Sequence, residues 1–111
     1  MNVKIIPSVE FNRQFKRLAK KYKSLPTDYL SFSKELKENP FIGSDLGSGI
    51  RKIRLAIASK GKGKSGGARV LTLTVLVSED AEVTLLTIYD KNEIENVSDE
   101  YIRWLIDEAK K

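Results

Sequence analysis

The sequence predicts a single α+β domain over residues 1–111, in the order β-α-α-β-β-β-α, with an antiparallel sheet carrying a helical hairpin on one face. Three observations carry this. Two apolar stripes of helical spacing follow each other closely in the first 40 residues. Three segments of period-2 alternation or β-branched composition then run from Lys52 to Tyr89. A last capped, periodic stretch closes the chain, and neither a repeat nor a linker divides its 111 residues, a length that supports one core.

Residues Asn2 to Ile6 alternate weakly, with Val3 and Ile5 on one side, and read as an opening strand that Pro7 and Ser8 break, Ser8 serving as N-cap. From Val9, the apolar positions Phe11, Phe15, Leu18, Ala19 and Tyr22 form one stripe, while Arg13, Lys16, Arg17, Lys20 and Lys21 fill the remainder. Pro26 is tolerated in the first turn of a second helix, where Leu25, Tyr29, Phe32 and Leu36 repeat until Asn39-Pro40 stops it. A connection this short predicts an antiparallel helical hairpin. Phe41 to Gly49 has no periodicity and reads as a loop. Ile53, Leu55 and Ile57 then alternate with Lys52, Arg54 and Ala56, a half-buried strand with its two cations on one face. After the glycine-rich connection Ser59 to Gly67 come two strands, Arg69 to Val77 and Glu82 to Tyr89, separated by Ser78-Glu79-Asp80-Ala81, which completes a meander. Ser98, followed by Asp99 and Glu100, caps a final helix on Ile102, Leu105, Ile106 and Ala109.

Composition removes several chemistries. The chain has no His and no Cys, so Ser-His-Asp and Cys-His arrangements, the common zinc sites, imidazole acid-base catalysis and disulfides are excluded. Catalysis, if present, uses Lys, Arg, Tyr or carboxylates, and no metal or small-molecule cofactor is expected. The longest nearly apolar run, Val70 to Val77, is far shorter than the ~20 residues of a membrane span, and Met1 to Pro7 lacks a signal-peptide core, so no membrane association and a cytoplasmic location are expected. The net charge of +5 is uneven: residues 46–78 hold seven cations and no acid, whereas residues 79–111 hold four cations and ten acids. A cationic middle of this kind suits a polyanion, above all a phosphate backbone.

Within it, Lys60, Lys62 and Lys64 alternate with glycines between strands that carry Arg51, Lys52, Arg54 and Arg69. A solvated hairpin tip would explain lysines alone. Glycines among them also let the backbone approach a phosphate chain. Gly63-Lys64-Ser65 is not a nucleotide-binding P-loop, because Ala58 fills the first glycine slot and a strand, not a helix, follows. The second candidate is Tyr89-Asp90-Lys91-Asn92-Glu93, in which Tyr89, Lys91 and Glu93 share period-2 parity at a strand end. Tyr101 and Trp104 flank the last apolar stripe and read as packing or a partner surface.

Taken together, Phe15-Lys16-Arg17-Leu18-Ala19-Lys20-Lys21-Tyr22, Leu36-Lys37-Glu38-Asn39-Pro40, Gly49-Ile50-Arg51-Lys52-Ile53-Arg54, the run Lys60 to Val70 and Leu86-Thr87-Ile88-Tyr89-Asp90-Lys91-Asn92-Glu93 resemble the RelE/HigB branch of type II toxin-antitoxin toxins of the RelE/ParE superfamily. The resemblance implies a RelE-like fold and a toxin that enters the ribosomal A site and cuts mRNA without a metal. It also implies a cognate antitoxin, the 70S ribosome and mRNA as partners. Arg69 would contact the scissile phosphate with Lys52 beside it. Lys60, Lys62, Lys64, Arg51 and Arg54 would hold mRNA or ribosomal RNA. Proton transfer would fall to a lysine crowded by other cations, to Tyr89, or third to Glu93, with Lys91 of the same strand end also among the catalytic candidates. The chain departs from RelE near its end: Asn92 occupies an arginine slot, and the terminal tyrosine has no counterpart in place, only Tyr89 or Tyr101 elsewhere. Relatives that poison DNA gyrase without cutting, as ParE proteins do, and a plain RNA-binding module are the alternatives.

Overall fold

The computed structural model describes residues 1–61 and 63–111; Lys62, one of the three connection lysines, lies outside the described residues. Helix α1 spans Val9–Lys21, and Ser8 caps it as expected, its Oγ accepting the Phe11 amide at 3.0 Å. Helix α2 spans Leu25–Glu38 with Pro26 in its first turn. The last long helix, Asp99–Ala109, is capped by Ser98, whose Oγ accepts the Tyr101 amide at 3.1 Å.

Five strands form one sheet: β1 Val3–Pro7, β2 Ser44–Gly47, β3 Ile50–Leu55, β4 Ala68–Val77 and β5 Asp80–Asp90, in the spatial order β1-β5-β4-β3-β2. The meander β3-β4-β5 is antiparallel, as expected. Two features differ from the expectation. The sheet is mixed, because β1 runs parallel to β5, from Val3 opposite Ala81 to Pro7 opposite Leu85. Alternation in five residues carries no strand direction, and a crossover through two helices leaves either direction open. Part of the loop expected from Phe41 to Gly49 also forms the short edge strand β2, whose four residues are all exposed and therefore lack a periodic apolar signal. Arg51 holds this edge: its guanidinium donates to the Phe41 carbonyl at 2.7 Å and lies 5.7 Å from the Phe41 ring centroid.

The helices cover both faces. Phe11, Leu18, Leu25, Phe32 and Leu36 from α1 and α2 pack on Ile53, Leu55, Val70, Val83, Leu85 and Ile88. On the opposite face, Leu105 of the last helix packs on Ile50, Leu71, Leu86 and Tyr89. Leu18, Leu25, Leu36 and Leu105 are at most 1% exposed, and burying each is worth ~1.5–3 kcal/mol relative to an exposed side chain.

The glycine-rich connection is not an extended hairpin tip. It contains a 3₁₀ turn at Ala58–Lys60 and one helical turn, α3, at Gly63–Gly66, so the last long helix becomes α4. It returns close to β3: a Cβ at Gly67 would stand 2.2 Å from the Leu55 carbonyl oxygen, so only glycine fits there. Among the described residues no helix is long and apolar enough to cross a membrane.

Candidate functional site

The hairpin β4-β5 turns through Ser78 and Glu79, with Ser78 in the left-handed region at φ 58°. Pairing then runs without a break from Val77 opposite Asp80 to Thr72 opposite Leu85. At that point the register slips by one, and Leu71 faces Thr87, leaving Leu86 as the extra residue of a β-bulge. Continued without the slip, Arg69 would have met Ile88. With it, Arg69 pairs with Tyr89 and Val70 with Ile88. A one-residue slip exchanges the faces of every following side chain, so the bulge turns Tyr89 toward the α4 side and Asp90 toward the α1-α2 side.

Arg54, Arg69 and Tyr89 consequently form one row across β3, β4 and β5, and Lys52 stands on the same face of β3, two residues from Arg54. A cleft of about 330 Å³ opens there, lined by Lys52, Arg69, Tyr89, Lys91, Asn92, Ile94 and Glu95. Four of the five proposed catalytic residues, Arg69, Lys52, Tyr89 and Lys91, are thus brought together. Arg69 is held rigidly. Its Nη1 donates to the Lys64 and Ala68 carbonyls, both at 3.2 Å, and its Nη2 to the Ser65 carbonyl at 3.1 Å, which ties the guanidinium to the end of α3. Burial, and the charge of Arg54 next, lower its pKa; an arginine stays charged all the same. Burial raises the Tyr89 phenol, and the nearby Arg69 charge only partly offsets it, so Tyr89 stays protonated at neutral pH.

Glu93 is not in the cleft. β5 ends at Asp90, and the chain turns, so the shared parity of Tyr89, Lys91 and Glu93 does not persist. The Glu93 carboxylate instead takes a two-pronged contact from Arg17 of α1, both bonds 2.8 Å, and its Oε1 accepts the Asp90 amide at 3.0 Å. The hydrogen bonds from Arg17 hold its pKa below the usual carboxylate range, and the contact keeps the carboxylate turned to α1 rather than to the cleft.

The cations assigned to RNA binding also divide. Lys60 does not reach the cleft surface; its side chain is 7% exposed and its ammonium lies 2.8 Å from Asp90 Oδ1. Arg51 is engaged with the β2 edge, 3.8 Å from Asp45 Oδ2. Arg54 and Lys64 remain at the surface, where Lys64 pairs loosely with Glu35 of α2 at 3.2 Å, and together with Lys52, which also lines the cleft, they line a second groove beside β3. From the sequence, Lys60 is expected as an RNA contact and Asp90 only as part of the Tyr89–Glu93 stretch, and that the two meet each other and Tyr22 is not foreseen. No sequence signal marks the burial of Asp90, because by simple alternation it falls in line with Glu82 and Thr84, and only the slip at Leu86 places it in the apolar row of Ala81, Val83, Leu85 and Ile88.

Fold and cleft together define a class: a small α+β protein with helices on both faces of a mixed sheet and a cationic, phenol-bearing cleft at one end of its meander. A family model described as the RelE toxin of the RelE/RelB toxin-antitoxin system matches residues 9–111, and the chain belongs to that family. It is a toxin of the type II toxin-antitoxin class, and membership implies a cognate antitoxin as partner.

Proposed function

We propose that this toxin is a ribosome-dependent, metal-independent endoribonuclease of the HigB-like kind, which cuts mRNA in the ribosomal A site in the cytoplasm and thereby inhibits translation. The observation that supports this most is the cleft in which Lys52, Arg69 and Lys91 converge with the phenol of Tyr89. A chain without His or Cys has these groups available for phosphate chemistry. The 2′-oxygen of the substrate attacks the adjacent phosphorus, the bond from phosphorus to the 5′-oxygen breaks, and a 2′,3′-cyclic phosphate and a 5′-hydroxyl result. Arg69, with one charged lysine of the cleft, stabilises the charge that builds on the phosphoryl oxygens. Tyr89, which keeps its proton, delivers it to the departing 5′-oxygen.

The proton of the 2′-hydroxyl passes to a cleft lysine, Lys52 or Lys91, whichever of the two does not serve the phosphoryl charge. Single replacements by arginine separate them, because arginine keeps the charge and cannot accept a proton. Cleavage of a translated message should collapse in one of Lys52→Arg and Lys91→Arg and persist in the other. Full rates in both would remove lysine from the proton path. Intact messages beside accumulating double-strand DNA breaks would favour the gyrase-directed alternative.

A further inference from the structure

Asp90 sits between Tyr89 and Lys91, two residues of the cleft, yet its own side chain points to the opposite face and is 3% exposed. It gathers three donors there. Oδ1 accepts the Lys60 ammonium at 2.8 Å and the Asn92 amide at 3.0 Å, and Oδ2 accepts the Tyr22 hydroxyl at 2.5 Å. The Lys60 ammonium also lies 5.4 Å from the centroid of the Tyr22 ring. The same carboxylate therefore joins the end of α1, the start of the lysine-glycine connection and the last residue of β5.

We propose that Asp90 and Lys60 are positioning residues, a buried clamp that sets the Lys60–Gly67 connection against the end of β5 and so fixes Arg69 relative to Tyr89 and Lys91. The connection reaches the cleft at both ends of this arrangement. Arg69 donates to the carbonyls of Lys64 and Ser65, and the Lys91 amide donates to the Gly67 carbonyl at 3.1 Å. The start of the connection is also fastened to α2, through the Ser59 amide on Ser24 Oγ and the Ala58 amide on Asp28 Oδ2. Those contacts hold it to a helix, whereas Lys60 to Asp90 holds it to the strand that carries Tyr89. Apolar residues of similar volume would serve stability as well as a buried ion pair does, so the specific gain from charge here is geometry. This inference rests on the proposed cleavage reaction, and it takes Lys60 out of the set of cations that grip RNA.

The test removes both buried charges together, as Lys60→Met with Asp90→Asn, so that neither is left unpaired. The affinity for ribosomes carrying a defined message, and its dependence on salt, should stay within twofold of the wild type. The single-turnover cleavage rate should fall about 10²-fold, the cost of an ångström-scale misplacement. Exchange of the Lys91 amide should quicken at least tenfold, the Arg69 Nε–Hε resonance should move, and Lys60→Arg should retain most of the rate. Tyr22→Phe, which keeps the ring packing, should lose rate to a smaller degree. Full cleavage with unchanged Lys91 exchange would overturn the proposal, as would a salt dependence weakened by the charge removal, which would make Lys60 a phosphate contact. If wild-type protein does not cleave, the proposed reaction fails by itself, and amide exchange with the Arg69 resonance still decides whether the clamp exists.

Discussion

Arg69 and Tyr89 are cross-strand partners only because Leu86 is a bulge. The slip moves the phenol from the helical-hairpin side of the sheet to the side where the guanidinium lies, and it sends the next residue, Asp90, into the core to meet Lys60. One irregular residue thus builds both the cleft and the ion pair behind it.

Tyr89→Phe tests the phenol separately from the ring. Phe keeps the packing on Leu71 and Leu105, so thermal stability should shift by no more than a few degrees. The cleavage rate should fall about 10²- to 10⁴-fold, the usual contribution of a positioned general acid. Single-turnover rates with translating ribosomes check this, and an unimpaired Phe variant would assign the proton to another group.

Arg54 and Lys64 should account for part of the salt dependence of RNA binding. Each phosphate contact to a single strand contributes about 0.7 to the slope of log affinity against log salt. Replacing both by Gln should therefore lower the slope by roughly 1.4 while the folded state is retained, because both side chains lie at the surface. Titrations at several salt concentrations decide it; an unaltered slope would confine phosphate contacts to the cleft.

Acid should destabilise the fold through Asp90. Burial opposes its ionisation, but the hydrogen bonds from Lys60, Tyr22 and the Asn92 amide, with the Lys60 charge, win and bring its pKa from 3.8 down to about 2. A carboxylate held lower in the folded than in the unfolded chain stabilises above the unfolded value and loses that contribution as pH falls from about 4 toward 2, here on the order of 2 kcal/mol. Glu93 shifts the same way. Denaturant midpoints measured at pH 7 and pH 3 should show a smaller acid loss in Asp90→Asn than in the wild type, from a lower starting stability at pH 7.

Much of the fold was legible because its signals are local. The stripes Phe11 to Tyr22 and Leu25 to Leu36 and the caps Ser8 and Ser98 give helices at the expected places. What depends on distant partners was not legible: the parallel pairing of β1, the exposed edge strand β2 and the register slip at Leu86. For the same reason the sequence grouped Arg69, Lys52, Tyr89 and Lys91 by charge and chemistry but misassigned their neighbours. Parity put Glu93 with Tyr89, although the strand stops at Asp90, and spacing put Lys60 with Lys64, although the 3₁₀ turn at Ala58–Lys60 directs it inward.

In the proposed reaction Arg69 acts on the scissile phosphate. Primer extension on a message translated in a purified system, comparing wild type with Arg69→Ala, tests it most directly when the cut ends are also analysed. Discrete cuts should appear inside the reading frame, with upstream fragments ending in 2′,3′-cyclic phosphate, insensitivity to EDTA added at a level that spares the ribosome, and a rate at least 10²-fold lower in a folded Arg69→Ala protein. Full cleavage by folded Arg69→Ala, or cuts that leave a 5′-phosphate, would contradict it.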